Sequence, residues 1–153
     1  MVQNPPEGYQ RVIPYMLYED GAAALEFLCR AFGAVERFRM PDENGTVMHA
    51  ELDFAGECVM IATANTEMGM ASPKSQRAMS AFVMVYVDDV DAHFATAKAA
   101  GANIVMEPET QFYGDRSYRV HDCDGHLWTF ATHVKDVAPE DMAPPSEADC
   151  TGA

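Results

Sequence analysis

The sequence predicts an α+β fold of two tandem βαβββ modules forming a curved mixed sheet or a barrel-like cavity. Three observations predict it. The chain resembles itself at an offset of 68 to 69 residues. Each copy opens with a short apolar strand that runs through an aspartate into an alanine-rich helix. Each copy closes with two strands joined at a glycine-containing turn.

The first alignment sets YMLYEDGAAALEFLCRAFGA (15–34) over VMVYVDDVDAHFATAKAAGA (83–102) at an offset of 68. Met16/Met84, Tyr18/Tyr86, Asp20/Asp88, Ala24/Ala92, Ala31/Ala99, Gly33/Gly101 and Ala34/Ala102 are identical. The second sets VMHAELDFAGECVMIAT (47–63) over RSYRVHDCDGHLWTFAT (116–132) at an offset of 69, matching Asp53/Asp122, Gly56/Gly125, Ala62/Ala131 and Thr63/Thr132. Two alignments in the same order, at almost the same offset, indicate a duplication.

The elements follow in order. A strand at 12–19 ends at Asp20, which can cap the helix 21–32; Leu25, Phe27, Leu28 and Phe32 form its apolar face. Gly33 suits the left-handed position after a helix. Strands at 35–40, 46–54 and 57–63 complete the first copy. The second copy repeats this with a strand at 82–88 ending at Asp88, a helix at 90–100, Gly101, and strands at 103–107, 116–122 and 126–132. DFAGEC and DCDGHL are the hairpin turns. The modules occupy about 11–65 and 80–134 of a single domain at 11–135. Residues 1–10 form an N-terminal arm, and 136–153, acidic and proline-rich, read as a disordered tail with Cys150 exposed in it.

Composition narrows the function classes. A 153-residue chain with 48% apolar residues can bury a sizeable core. A net charge of −14 argues against nucleic acid or an anionic membrane as partner, because nothing would neutralise phosphates. Cys29, Cys58, Cys123 and Cys150 show no C-x-x-C spacing, and MVQNPPEGYQ lacks the basic and apolar regions of a secretory signal. Reduced thiols in a cytoplasm are expected.

The stretch YGDRSYRVHDCDGHLWTF (113–130) is dense in metal-ligand side chains. Asp122, Asp124 and Gly125 stand where the first copy has Asp53, Ala55 and Gly56, so a turn accounts for them without an ion. No glutamate follows where a calcium loop needs one. His121 and His126 read as hairpin residues, and His93 and His133 as surface groups.

The duplicated βαβββ unit, with glycine after each helix, resembles the vicinal oxygen chelate superfamily, also called the glyoxalase/bleomycin-resistance group. VMHAEL, YGDR and DGHLWTFATH are most similar to its PhnB-like branch. The resemblance covers about residues 11–134. It implies a small-molecule pocket on the concave side of the sheets and a tendency to form homodimers. In members with metal chemistry it also implies ligands on the first and last strands of each half. Carried over, those positions are Pro14 (or Ile13), Met60, Phe82 and Thr129. None suits zinc, nickel, iron or manganese. No metal or other cofactor is therefore expected, unless a displaced site assembles from His49, Glu51 and one of Tyr113, Asp115 or His126.

Strand alternation sorts the faces. Ile13, Tyr15 and Leu17, with Val83, Val85, Val87, Val59, Ile61, Trp128 and Phe130, are expected beneath the helices. The opposite set, with Met16, Tyr18, Met60, Phe82, Met84, Tyr86 and Thr129, suits either a concave ligand wall or a second core layer. In strand 46–54, Met48, Ala50, Leu52 and Phe54 form the apolar face, which turns His49, Glu51 and Asp53 to the concave side. His49 and Glu51 are the catalytic candidates, as an acid–base pair. Tyr18, Met60, Phe82, Tyr86, Tyr113, Arg116 and Thr129 are the ligand-binding candidates. Arg116 suits a ligand carboxylate or phosphate, or an ion pair with Glu107 or Glu109. Three functions follow: binding of a small, partly apolar molecule without metal, a lyase or isomerase using His49 and Glu51, or a dimeric interaction protein.

Overall fold

The fold is described from a computed structural model covering residues 3–76 and 79–142. The first module runs β1 (Tyr15–Tyr18), α1 (Gly21–Phe32), β2 (Val35–Pro41), β3 (Val47–Phe54) and β4 (Glu57–Thr63). The second runs β5 (Val83–Tyr86), α2 (Val90–Ala99), β6 (Asn103–Thr110), β7 (Asp115–His121) and β8 (Leu127–His133). Each makes its own four-stranded sheet, in the orders β1-β4-β3-β2 and β5-β8-β7-β6. The first and last strands of each module pair in parallel and the other neighbours pair antiparallel. The duplication seen in the sequence is thus the repeat of the fold.

Local chemistry sets the helix starts. The Asp20 carboxylate accepts from the backbone N–H groups of Ala22 and Ala23, and that of Asp89 from Ala92. The hydroxyl of Thr63 accepts the N–H of Gly21 at 3.2 Å, and Thr132 accepts that of Val90 at 2.9 Å. The matched threonines therefore serve helix N-termini. The pairs Asp20/Asp89, Gly21/Val90 and Thr63/Thr132 are all 69 apart, so the cap is Asp89 and not Asp88. The second helix is shorter, which returns the offset to 68 at Gly33 and Gly101.

This one-residue difference inverts the expected facing of the first strand, because side chains alternate with period two. Tyr15 and Met60 are in register in sheet 1, as Met84 and Thr129 are in sheet 2. Tyr15 and Leu17 lie on the open face, and Met16 and Tyr18 lie in the core. Tyr18 is fully buried and so is not a pocket residue.

One hydrophobic core spans both modules, with α1 and α2 packed together between the sheets. The Phe32 ring of α1 lies 5.5 Å from Trp128 and 5.0 Å from Phe130 of the other module, and Phe54 stacks on Trp128 at 5.0 Å. Burying each such side chain contributes about 1.5–3 kcal/mol. The helix-distal face of each sheet is open.

The stretch at 122–126 is a clasp between the modules. The Asp122 carboxylate accepts from Tyr18 Oη at 2.6 Å and Trp128 Nε1 at 2.9 Å, and from the backbone N–H groups of Asp124 and His126. Asp124 accepts from the Glu19 N–H and the Ser72 hydroxyl, both at 2.6 Å. His126 Nε2 donates to the Leu17 carbonyl at 2.8 Å. The turn expected from the sequence is present, and its carboxylates accept from both modules and from Ser72 between them.

His93 is not a surface group. Its Nε2 donates to the Phe32 carbonyl at 2.9 Å, its Nδ1 accepts from Tyr118 Oη at 2.8 Å, and its ring lies 4.1 Å from Phe130. Burial lowers its pKa, against the opposing pull of the Phe32 carbonyl. A depressed imidazole makes the unfolded chain bind more protons near neutrality. Its contribution is complete above the unfolded value of about 6.5 and is lost as pH falls through it. Between about pH 7 and pH 5 the urea midpoint of the wild type should drop relative to that of His93→Gln, while His133, with its raised pKa, acts in the opposite sense in both proteins. An equal slope in both proteins would refute this role.

Part of the expected tail has structure. Pro139–Asp141 is a single 3-10 turn, and Asp136 accepts from His133 Nε2 at 3.0 Å. Residues 143–153, with Cys150, lie outside the described residues. Among the described residues no helix is long and apolar enough to cross a membrane.

Candidate functional site

On the open face of sheet 1, β3 presents His49 and Glu51 as its alternation requires, with Met60 of β4 beside Glu51. Four polar groups form a continuous chain. Tyr9 Oη donates to Glu51 Oε2 at 2.5 Å, Glu51 Oε1 faces His49 Nε2 at 3.2 Å, and His49 Nδ1 faces Tyr15 Oη at 2.7 Å. A carboxylate only accepts, so Nε2 carries the proton toward Glu51 and Nδ1 accepts from the tyrosine. Burial pushes the Glu51 carboxyl up, but hydrogen bonds from Tyr9 and His49 outweigh it and leave it below its ordinary value. Tyr15 is raised by burial and by the Glu51 charge. The Arg37–Asp53 ion pair closes one side, and Phe38 and Met40 flank the chain with about half their surface exposed.

The arm at 3–10 is part of this site. Beyond Tyr9, the Gln10 amide bonds both the N–H and the carbonyl of Cys58, and Arg37 donates to the Gly8 carbonyl at 2.9 Å. Glu7, Tyr9, Arg37, Phe38 and Glu51 line a depression there.

The open face of sheet 2 has a different character. Phe82, Met84 and Tyr86 of the β5 segment are 61%, 41% and 55% exposed. Tyr86 Oη donates to Asp115 Oδ2 at 2.7 Å, and His133 Nδ1 bonds the other oxygen at 2.7 Å. Asp115 and Asp136 raise the His133 pKa. Thr129 sits in register between Met84 and Arg119, and its hydroxyl is buried without a hydrogen-bond partner. Such an orphan costs about 1–3 kcal/mol unless something completes it. Between the sheets, Tyr15, Leu17, Met79, Phe82, Met84 and His126 line a groove of about 610 Å³.

The sequence-derived candidates therefore divide. His49, Glu51 and Met60 meet on sheet 1. Phe82, Tyr86 and Thr129 lie on sheet 2. Tyr113 packs on Phe112 in the β6–β7 loop. Tyr18 is in the core. Arg116 turns to the helix side, where its Nε and an Nη donate to Asp91, both at 2.8 Å, instead of to a ligand, Glu107 or Glu109. Tyr9, Tyr15, Arg37 and Arg119 were not singled out in the sequence. The 69-residue spacing of the capping aspartates would have placed Tyr15 on the open face.

The model of the Glyoxalase/Bleomycin resistance protein/Dioxygenase superfamily matches residues 14–130. The chain belongs to that superfamily. Uncharacterized proteins of Mycobacterium bovis and Mycobacterium tuberculosis are 34% identical over 132 residues. The alignments cover 84% of this chain and 87% and 78% of theirs. The crystal structure of TioX from Micromonospora sp. ML1 is similar with a TM-score of 0.66 and 32% identity, covering 84% of this chain and 100% of that one. An Arabidopsis thaliana gene product follows at 0.64 and 26%, covering 80% and 98%.

The metal positions implied by the superfamily can now be tested on the register. Phe82 and Thr129 correspond at 69 residues to Ile13 and Met60, which decides the Pro14/Ile13 alternative for Ile13. Isoleucine and phenylalanine have no donor atom, and a thioether with one hydroxyl cannot hold a hard divalent cation. These residues do not fit the metal. In the displaced set, two of the three candidate third ligands are already engaged, Asp115 by Tyr86 and His133, and His126 by Leu17. Among the described residues no group of three or more His, Cys, Asp or Glu could hold an ion.

Proposed function

We propose that this chain is a PhnB-like member of the superfamily that binds a small, partly apolar organic molecule without the usual catalytic metal, as a cytoplasmic homodimer. The supporting observation is the pair of open sheet faces. Each presents large apolar side chains around a few buried polar groups, as ligand pockets do, while the metal positions hold non-ligands. Isolated exposed apolar residues need no explanation, but rows of them on two adjacent faces mark binding surfaces. A homodimer that stacks face on face would close them. Native mass spectrometry should find a dimer retaining a small molecule. Added zinc, nickel or manganese should confer no lyase or dioxygenase activity. Metal-dependent turnover lost in His49→Ala, or a monomer, would contradict the reading.

The Tyr15–His49–Glu51–Tyr9 chain favours a second reading, a lyase or isomerase in which His49 and Glu51 move a proton. Glu51 orients the imidazole, and half-exposed Tyr15 is the end that meets substrate. A His49 NMR titration that responds to candidate metabolites would support it, and one that matches free histidine in all of them would not.

A further inference from the structure

We propose that Arg119 and Thr129 form a seat for the carboxylate of the bound molecule, so that the natural ligand is an apolar carboxylic acid. This rests on the small-molecule reading above and specifies its ligand. Thr129 and Arg119 are directly opposed on β8 and β7 and project from the same open face. The Thr129 hydroxyl is fully buried and unpartnered. Arg119 is exposed and, among the described residues, makes no ion pair, whereas Arg37, Arg39 and Arg116 each pair with a carboxylate. Arg11 and Arg30 also make no ion pair among the described residues, but of these three arginines Arg119 is the one carried on an open sheet face. A guanidinium and a hydroxyl both donate, so together they call for an acceptor, and the planar fork selects a carboxylate.

The surroundings specify the rest of the molecule. Met84, in register with Thr129 on its other side, and the exposed rings of Phe82 and Tyr86 offer a hydrocarbon-lined approach. Arg119, one strand away from Thr129, supplies positive charge for an oxygen-bearing ligand. Asp115 does not compete, because Tyr86 and His133 engage both of its oxygens.

The test compares 3-phenylpropanoate with 3-phenylpropanamide, which have the same shape and differ in charge. Calorimetry gives affinity, and the methyl-13C resonance of Met84 gives location. The carboxylate should bind at least about 10-fold more tightly than the amide and shift Met84, as expected for charge-assisted hydrogen bonds. Arg119→Gln should abolish that preference, and Thr129→Val should reduce it about 3- to 10-fold with the fold intact. Equal binding of both probes at Met84 would overturn the seat and leave the small-molecule reading standing. No shift at Met84 from either would overturn the seat, and absence of any retained small molecule in native mass spectrometry would overturn the small-molecule reading as well. Dissociation of a dimer by Arg119→Gln would assign the arginine to an intersubunit ion pair and overturn the seat.

Discussion

Asp122→Ala should destabilise the protein by about 4 kcal/mol, lowering the melting temperature by roughly 8–16 °C. The carboxylate accepts four hydrogen bonds, and two of the donors, Tyr18 Oη and Trp128 Nε1, belong to side chains with no exposed surface. Removing it strands both donors in the core, each at about 1–3 kcal/mol, and frees the N–H groups that shape the turn. The two modules would lose one of the two bonds that join β1 to the clasp, leaving that of His126 to the Leu17 carbonyl. Asp122→Asn separates these effects. With its oxygen toward the backbone N–H groups, its amide nitrogen can donate to Tyr18 but confronts the Trp128 N–H. About half the loss should then remain. Trp128 is the single tryptophan, so its fluorescence follows unfolding from the affected site itself. A change below about 1 kcal/mol in Asp122→Ala would show that water replaces the carboxylate and that the clasp is not structural.

The same residues show how far the sequence could be read. Helices, hairpins and the duplication were legible because they depend on local signals: capping aspartates, glycine after a helix, and alternating apolar residues. The β3 pattern alone turned His49 and Glu51 to the open face. What failed was register. The identities Met16/Met84 and Tyr18/Tyr86 suggested an offset of 68, but the fold keeps the helix N-cap and the threonine beneath it in place at 69. A single residue exchanged Tyr15 for Tyr18 as the exposed tyrosine of β1. Long-range pairing was the other gap. Nothing local reveals that His93 will insert its ring between Phe32 and Tyr118, that Arg116 will meet Asp91 of α2, or that Tyr9 of an irregular arm will reach Glu51. Those contacts join residues 25 to 61 positions apart, and the His93–Phe32 bond forms only once the two modules share one core. The ligand seat is similarly nonlocal, since Arg119 gains meaning only from the unpartnered hydroxyl across the strand pair.

Gly114→Ala should cost about 3–4 kcal/mol, and Gly33→Ala only about 1 kcal/mol, although both glycines have positive φ. Gly33, at φ +70°, ends α1 with nothing within 4 Å of the added methyl, so only backbone strain is introduced. At Gly114, with φ +100°, the Cβ would fall 1.9 Å from the Lys135 carbonyl oxygen and 3.2 Å from a Val137 methyl. A backbone oxygen cannot rotate away. Relief requires moving the segment after β8, whose Val134 and Lys135 N–H groups both bond the Gly114 carbonyl, at 3.1 and 3.0 Å. That segment also carries Asp136, and β8 ends at His133, which holds Asp115 in place for Tyr86. The damage should therefore be directional. Amide exchange at Val134 and Lys135 should quicken more than at the α1 core, and carboxylate probes should lose affinity on sheet 2 while the Tyr9–Glu51 contact on sheet 1 is unchanged. Equal losses in the two glycine variants would show that the chain after β8 yields freely and that its contact with Gly114 does not position the sheet 2 face.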